Sequence, residues 1–516
     1  MRGWSTVFGL LGILVLCRGS ACDPAATVPS EPESGVADAA PDGPSVFRDT
    51  GPRSDAPTAD APSADAGLPD LARADGPVAD AGACGDKLQN GTETDVDCGG
   101  ASCGPCDEQR KCVAPRDCKS GSCTGGRCDG VLEVASGVSR TFEDLSTAGQ
   151  VTGISGAQLT LAPASGFAAG QEALLINLQG SATDVTSVGN WELVEVASVS
   201  GAVVTLKAAV AKSYGKASAN ADLTGQKVFL VRVPRYASVT VKGELTAKAW
   251  NGTVGGLGLI ALRATGKLVV DAAGKLTLGA RGYRSLGVNC NGVTGVPGES
   301  AFPMLPYSCP WTTTPTKAPN GGGGGGGLSN CNVYSCATQQ LGAGGGGASY
   351  GGAGQDGQHN GTQQQGGLAG LVYGQPALSQ VYLGAGGGAG AGGTNGPGTI
   401  VANGRGGGLL LLFADELAID GATDASGQVG GDNANCGSAN GSGSGGGGAG
   451  GSVYLAARTV KITAGKITAK GGPGGCKGGG AGGVGRIRIG CTTLNGTACP
   501  GADANLTTPP AYLVGP

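Results

Sequence analysis

The stretch GGSVYLAARTVKITAGKITAKGGPGGCKGGGAGGVGRIRIG, residues 450–490, constrains the fold of this chain more than any other. Within it, Val460, Ile462 and Ile467 face one way while Lys461, Thr463, Lys466 and Thr468 face the other. That alternation is the signature of a half-buried strand. Strands of four or five residues stop at glycine turns, and the same pattern recurs at 255–282 and 406–427. Short strands repeated in this way fit the coils of a β-solenoid, where each coil buries its apolar face by stacking on the next.

Glycine supplies 59 of the 170 residues from 321 to 490. Collagen needs glycine at every third position, and runs such as 321–327 break that spacing. The runs at 321–327, 342–347, 384–393 and 441–451 sit beside strands and cysteines. A flexible linker is one alternative. The expectation is packed, extended, polyproline-II-like glycine strands, whose backbones approach closely because no Cβ intervenes. The fold class expected is mainly β. A β-sandwich-like lead-in precedes a glycine-rich β-solenoid or packed polyglycine-strand domain, and a disordered tether precedes both.

Residues 1–22 have the form of an export signal: Arg2, an apolar core at Val7–Leu16, then Gly19, Ser20 and Ala21 before Cys22. The core is shorter than the ~20 apolar residues of a spanning helix. The GSAC ending resembles a bacterial lipobox, departing from it at Gly19, where leucine is usual. The resemblance implies lipidation of Cys22. Residues 23–83 carry twelve acids and three arginines, with Asp55, Asp60, Asp65, Asp70, Asp75 and Asp80 at five-residue intervals among Pro and Ala. Like charges and little to bury predict a disordered spacer.

Residues 84–129 hold Cys84, Cys98, Cys103, Cys106, Cys112, Cys118, Cys123 and Cys128 with few large apolar residues, so disulfides must hold the module together. Their connectivity is open among 105 pairings. A redox role for the CGPC pair Cys103 and Cys106 and a zinc ribbon are both disfavoured by the surrounding cysteines. Asp95 and Asp97 fit solvated turns better than calcium ligands. The pattern NGTETDVDCGG, CGPC, DCKSGSC resembles a small cysteine-rich repeat of exported proteins from myxobacteria and relatives, which implies an extracellular disulfide module. Residues 130–250 alternate in segments spaced roughly 8–15 residues apart, predicting an all-β sandwich or barrel with Trp191 and Trp250 in core or capping positions.

The glycine-rich domain, 251–516, carries the second cysteine set: Cys290, Cys309, Cys331, Cys336, Cys436, Cys476, Cys491 and Cys499. Its insert at 285–336 breaks the repeat with prolines and cysteines. Solenoid insertions gather on one face, often the binding face. Phe302, Tyr307, Trp311 and Tyr334 collect there in an aromatic-poor chain and form the candidate recognition surface. The texture of GGGGASYGGAGQDG with LGAGGGAGAGG resembles the glycine-rich extracellular domain of anaplastic lymphoma kinase-type receptors. That resemblance implies bundled glycine helices and nothing of receptor function.

The chemistry of enzymes is thinly represented. One histidine, His359, argues against histidine triads and multi-histidine metal sites. No phosphate-binding glycine motif stands after a strand. GSGSG at 441–445 lacks the setting of a nucleophile elbow. Asp415, Glu416, Asp420, Asp424 and Asp432 are the acids a polysaccharide-processing β-helix would use, yet Asp415, Glu416 and Asp420 fall at turns. No basic patch suggests nucleic acid, and no cofactor is expected. The expected function is that of a non-catalytic lipoprotein on the bacterial outer membrane or cell surface, serving adhesion, envelope structure or matrix and glycan contact. Its partners would be the membrane through the lipid and an envelope polysaccharide or surface protein. The alternatives are a polysaccharide-processing β-helix enzyme and a passive envelope spacer.

Overall fold

The computed structural model describes residues 84–108, 110–163, 166–285, 295–303, 321–323, 343–358, 366–391, 404–431, 443–476 and 478–499, and the backbone of two strands beyond them. Cys22, the acidic segment 23–83, Tyr307, Trp311, Tyr334, His359, Asp432 and Cys290, Cys309, Cys331, Cys336 and Cys436 lie outside the described residues. No helix among the described residues is long and apolar enough to cross a membrane.

The cysteine module is stapled by Cys84–Cys103, Cys98–Cys106, Cys112–Cys123 and Cys118–Cys128 around the hairpin β1 (Cys123–Thr124) and β2 (Arg127–Cys128). Each half of the module thus holds two bridges of its own. The next two strands, β3 (Gly130–Val134) and β4 (Ser139–Thr141), do not pair with the strand that comes after them in the chain. They are the first coil of the solenoid.

A closed six-stranded antiparallel barrel comes next. Its strands are β5 (Ala148–Ser155), β6 (Gln158–Ala162), β7 (Glu172–Gln179), β8 (Trp191–Ser200), β9 (Val203–Leu206) and β10 (Lys227–Arg232), in the order β10-β5-β6-β9-β8-β7. In β6 exposed and buried residues alternate, so Leu159 and Leu161 fill the barrel with Val151, Leu175, Val196, Val204 and Leu230. Strands β7 and β10 are apolar almost throughout because both their faces are covered. Leu174, Ile176, Phe229 and Val231 point out of the barrel and join the core of the solenoid. Arg263 clamps Glu172 across this junction with two hydrogen bonds of 2.6 and 2.7 Å. Trp191 stacks edge-on against Tyr454, ring centroids 5.4 Å apart.

The solenoid resumes with β11 (Arg235–Val241) and β12 (Glu244–Thr246), which pair in parallel with β3 and β4. The barrel is therefore looped out between the first and second coils, and sheet pairing runs unbroken across residue 250. Later coils are β13 (Leu259–Ala264), β14 (Lys267–Val270) and β15 (Lys275–Thr277), then β16 (Leu409–Ile419) and β17 (Ala422–Asp424), then β18 (Ser452–Ile462) and β19 (Ile467–Thr468), then β20 (Arg486–Leu494). A short β21 (Thr497–Ala498) folds back on β20 beside the Cys491–Cys499 disulfide, and β22 (Ala504–Leu506) and β23 (Tyr512–Gly515) finish the first sheet. Cys476 is disulfide-bonded as well.

Two walls of each coil are thus strands: a first sheet containing β11, β14, β16, β18 and β20, and a second made of β4, β12, β15, β17 and β19. Leu410, Leu412, Val453, Leu455, Ile487 and Ile489 from the first sheet are buried in one core with Leu245, Leu276 and Ile467 from the second. Thr423 holds the rung between Leu276 and Ile467 and leaves its hydroxyl buried without a hydrogen bond.

The third wall is made of glycine. Segment 443–451 is neither helix nor strand, yet its N–H groups are used with a period of three. Gly443, Gly446 and Ala449 donate to the carbonyls of Ala391, Gly388 and Ala385; Gly445, Gly448 and Gly451 donate to Gly431, Gln428 and Ala425; Gly447 and Gly450 donate to Gly480 and Gly483. Its carbonyls accept from Gly345 and Ala348, from Gly472 and Gly475, and from Gly407. Three residues per turn is the screw of polyproline II, and here the donors that such a helix normally gives to water go to neighbouring chains. None of the glycines in 443–451 has a positive φ. Glycine is required there because a Cβ has nowhere to go: at Gly446 it would collide with the carbonyl of Gly346, and at Gly447 with that of Gly472.

Side chains fasten the bundle at its rim. Glu299, 2% exposed, accepts from Arg284 Nε and the Arg284 backbone at 2.9 Å, from Gln179 of the barrel at 3.0 Å and from Trp250 at 3.2 Å. A buried carboxylate is tolerable only when so fully satisfied. Tyr350, Tyr373 and Tyr382 pack together nearby, with the Tyr350 hydroxyl 2.7 Å from Ser452 Oγ.

Three substitutions test this packing. Gly447→Ala should lower the unfolding free energy by about 1–3 kcal/mol or more, as overpacking does, while Gly255→Ala, where the added Cβ meets only Thr253 Oγ1 at 3.6 Å, should be near neutral. Thr423→Val should raise stability by about 1 kcal/mol by removing the orphaned hydroxyl. Chemical denaturation of the three variants beside the parent checks all of these.

Candidate functional site

The second sheet presents its outer face as a set of rows, because parallel strands in register place every second residue on the same side. Its pairing is Ser139, Glu244, Lys275 and Ala422 in one row and Thr141, Thr246, Thr277, Asp424 and Thr468 in the next. Lys466 continues the first row at the last coil. Backbone hydrogen bonds carry the register on into the glycine wall, from Leu278 to Asp424, from Ala280 to Ser426 and from Ala425 to Thr468. A third row therefore holds Lys248, Gly279, Ser426 and Lys470. Successive rungs are about 4.8 Å apart, the spacing of hydrogen-bonded strands.

Threonine occupies four of the five rungs of the middle row. Hydroxyls on a flat sheet favour one another and the backbone. Thr246 Oγ1 donates to the carbonyl of Thr277, and Thr468 Oγ1 donates to Asp424 at 2.6 Å. Arg281 reaches Thr246 Oγ1 at 3.4 Å. The carboxylates of the face are engaged locally. Glu244 accepts from Ser139 at 3.1 Å, Asp424 also accepts from the Ser426 backbone at 3.1 Å, and Glu143 accepts from the Lys248 backbone at 3.0 Å. Burial pushes the Glu143 carboxyl up from its ordinary value, opposed by that backbone bond. Lys248, Lys275 and Lys470 are exposed and Lys466 half-buried; none of the four ammonium groups is in an ion pair among the described residues. The arrangement can bind a polar, extended ligand.

Of the residues singled out in the sequence, Asp424, Lys466 and Thr468 lie in these rows. Phe302 is half-buried against the barrel, its carbonyl 3.5 Å from Gln179 Nε2, and takes no part in these rows. The described part of the insert, 295–303 and 321–323, runs alongside the glycine strands. Gly298 donates to Gly323, and Gly323 to Gly386, so both belong to the glycine wall. The acids at 415–424 are each committed. Asp415 holds Arg458 at 2.8 and 2.9 Å, which keeps its carboxyl below the usual range, and Glu416 faces the same guanidinium at 3.7 Å. Asp420 accepts from Thr463 at 2.6 Å. Sequence inspection misses the rows of the second sheet because each coil contributes one rung and the coils are separated by long intervening segments. The one local signal is the outward pair Lys466 and Thr468, whose counterparts on other coils emerge only with the register.

In the cysteine module Cys103 and Cys106 are bonded to different partners, so CGPC is not a redox pair. The grouped sulfurs of Cys112, Cys118 and Cys128 are likewise tied up in disulfides. The acids cap turns. Asp97 accepts from the backbones of Gly85 and Lys87 at 2.8 and 2.9 Å, and Asp95 from that of Lys111 at 2.7 Å. Asp117 accepts from Val113 and Ala114 at 2.8 Å and from Gly100 at 3.1 Å, and these N–H groups hold its carboxyl below the ordinary value of 3.8. A lowered folded value means that its stabilisation is present above the ordinary value and lost as pH falls through the lower one. Amide exchange at Gly100, Val113 and Ala114 in the full chain, corrected for intrinsic rates, should therefore accelerate on acidification below 3.8. Asp117→Asn should abolish that step.

No family model matches this chain, and no curated protein matches it. Among solved structures it is similar to the tailspike of Pseudomonas phage phi297, at 16% identity over 29% of this chain and 26% of that one, with a TM-score of 0.14. It is also similar to the tailspike of Acinetobacter baumannii bacteriophage AP22, solved with a capsular saccharide, at 13% identity over 30% of each chain and a TM-score of 0.13. The tailspike of Pseudomonas phage LKA1 gives 16% identity over 29% of this chain and 27% of that one, with a TM-score of 0.14. The chain spans under a third of the length of these structures, and the likeness assigns no activity.

Proposed function

We propose that this chain is a non-catalytic binding module of an exported bacterial lipoprotein, anchored through Cys22, carried on the acidic segment 23–83, and making contact with envelope or matrix glycan. The observation that carries the proposal is the outer face of the second sheet: a row of four threonines and Asp424, flanked on both sides by lysines that are in no ion pair among the described residues. Flat polar faces of this kind suit the hydroxyl-rich edge of a carbohydrate, and a pre-organised face loses little entropy on binding. A role as catalyst is disfavoured by the engagement of Asp415 and Glu416 with Arg458 and of Asp420 with Thr463. A carboxylate held ionised by a guanidinium is a poor general acid.

The purified chain, incubated with a panel of neutral and acidic bacterial polysaccharides, should co-sediment with a subset of them and release no new reducing ends. Release of reducing ends that disappears in Asp420→Asn would replace the binding role with the enzymatic one.

A further inference from the structure

We propose that the outer face of the second sheet is a track for an anionic polysaccharide lying across the strands, along the solenoid axis, with Lys248, Lys275, Lys466 and Lys470 meeting its acidic groups. This rests on the glycan-contact role proposed above and adds the charge class and the direction of the bound chain. The middle row repeats a hydroxyl at Thr141, Thr246, Thr277 and Thr468. A polymer crossing the strands meets threonine at four of five steps of about 4.8 Å, Thr246 being the most buried of them, and Asp424 at the other; a small ligand has no use for the repetition. Lysines flank that row on both sides, Lys275 and Lys466 on one and Lys248 and Lys470 on the other.

The charges differ in their availability. Glu143, Glu244 and Asp424 already accept hydrogen bonds from Lys248, Ser139, Thr468 and Ser426, whereas the four ammonium groups have no ion-pair partner among the described residues. Those three carboxylates keep their negative charge, so the four lysines exceed them by one and the face offers a ligand a small cationic excess. Charge complementarity across an open face acts mainly on specificity and encounter rate and weakens with salt. At the far edge of the first sheet the pattern is different. Glu133 is paired with Lys242 at 2.8 Å and Asp415 with Arg458 at 2.8 Å. Lys267 and Lys461 on that sheet are exposed and provide the control.

The test uses the full chain with polygalacturonate, a neutral glucan of similar length, and polyglutamate, at low and at physiological salt. Polygalacturonate should bind, with affinity falling as salt rises. The paired change Lys275→Gln and Lys466→Gln should weaken that binding about tenfold, while Lys267→Gln with Lys461→Gln, the same change in charge, should leave it unaltered. Thr277→Val with Thr468→Val should also weaken it although no charge changes. Equal losses from the two lysine pairs, or equal binding of polyglutamate, would overturn the track. Tight binding of the neutral glucan, indifferent to Lys275 and Lys466, would overturn the anionic track and leave glycan contact standing. Binding of none of the glycans would remove both. Far-ultraviolet circular dichroism of each variant keeps loss of fold apart from loss of binding.

Discussion

Everything in the solenoid depends on peptide groups packed so closely that no side chain fits between them. In segment 443–451 every third N–H returns to the same neighbour, so one strand is bonded to three others by donation and to three more by acceptance. A sheet satisfies its backbone in one plane, whereas this wall satisfies it all round. The cost is the backbone entropy of glycine, which loses more freedom on folding than any other residue. The compensation is a dense set of hydrogen bonds in a place where water is excluded and an unmade bond is expensive.

Such a wall has almost nothing with which to grip its surroundings, so attachment is concentrated at a few points. Glu299 ties the glycine wall to the barrel through Gln179 and to the second coil through Trp250. Arg486 lies over the Tyr350 ring at 5.5 Å and hydrogen-bonds the carbonyls of Tyr373 and Gly374. Burial pushes the Tyr350 hydroxyl up to about 12, so it stays a neutral partner for Ser452. The barrel, in turn, commits the outer faces of β7 and β10 to the solenoid core. Polar and aromatic side chains here do the fastening that apolar contact does in an ordinary core.

Much of this architecture is written locally. Alternation in VKITAGKITAKGG marks strands of the two sheets, and the glycine runs beside them mark a wall without side chains. The parts that stay hidden are those set by register. Gly130–Val134 reads as the start of the lead-in domain, and only its pairing with Arg235–Val241, across the whole barrel, makes it the first coil. The threonine row is hidden for the same reason: Thr141, Thr246, Thr277 and Thr468 are scattered residues until the coils are stacked. Glu299 reads as an ordinary polar residue of a proline-rich insert, since nothing local announces that its partners lie on three different elements. The disulfide pattern of the cysteine module is equally a matter of spatial neighbours.

The interleaving of the glycine strands dictates how the molecule can be made. The central strand 443–451 takes its partners from segments both earlier and later in the chain, and the amides of Gly447 and Gly450 wait for the carbonyls of Gly480 and Gly483. A chain emerging from its amino end, from a ribosome or through a membrane pore, can close the cysteine module and the barrel early, since all their strand partners lie before residue 233. The glycine wall cannot close until the segment near residue 485 has arrived. Until then a long stretch rich in bare peptide groups must stay soluble without a partner, and glycine, having no side chain to aggregate through, is the residue best suited to that delay.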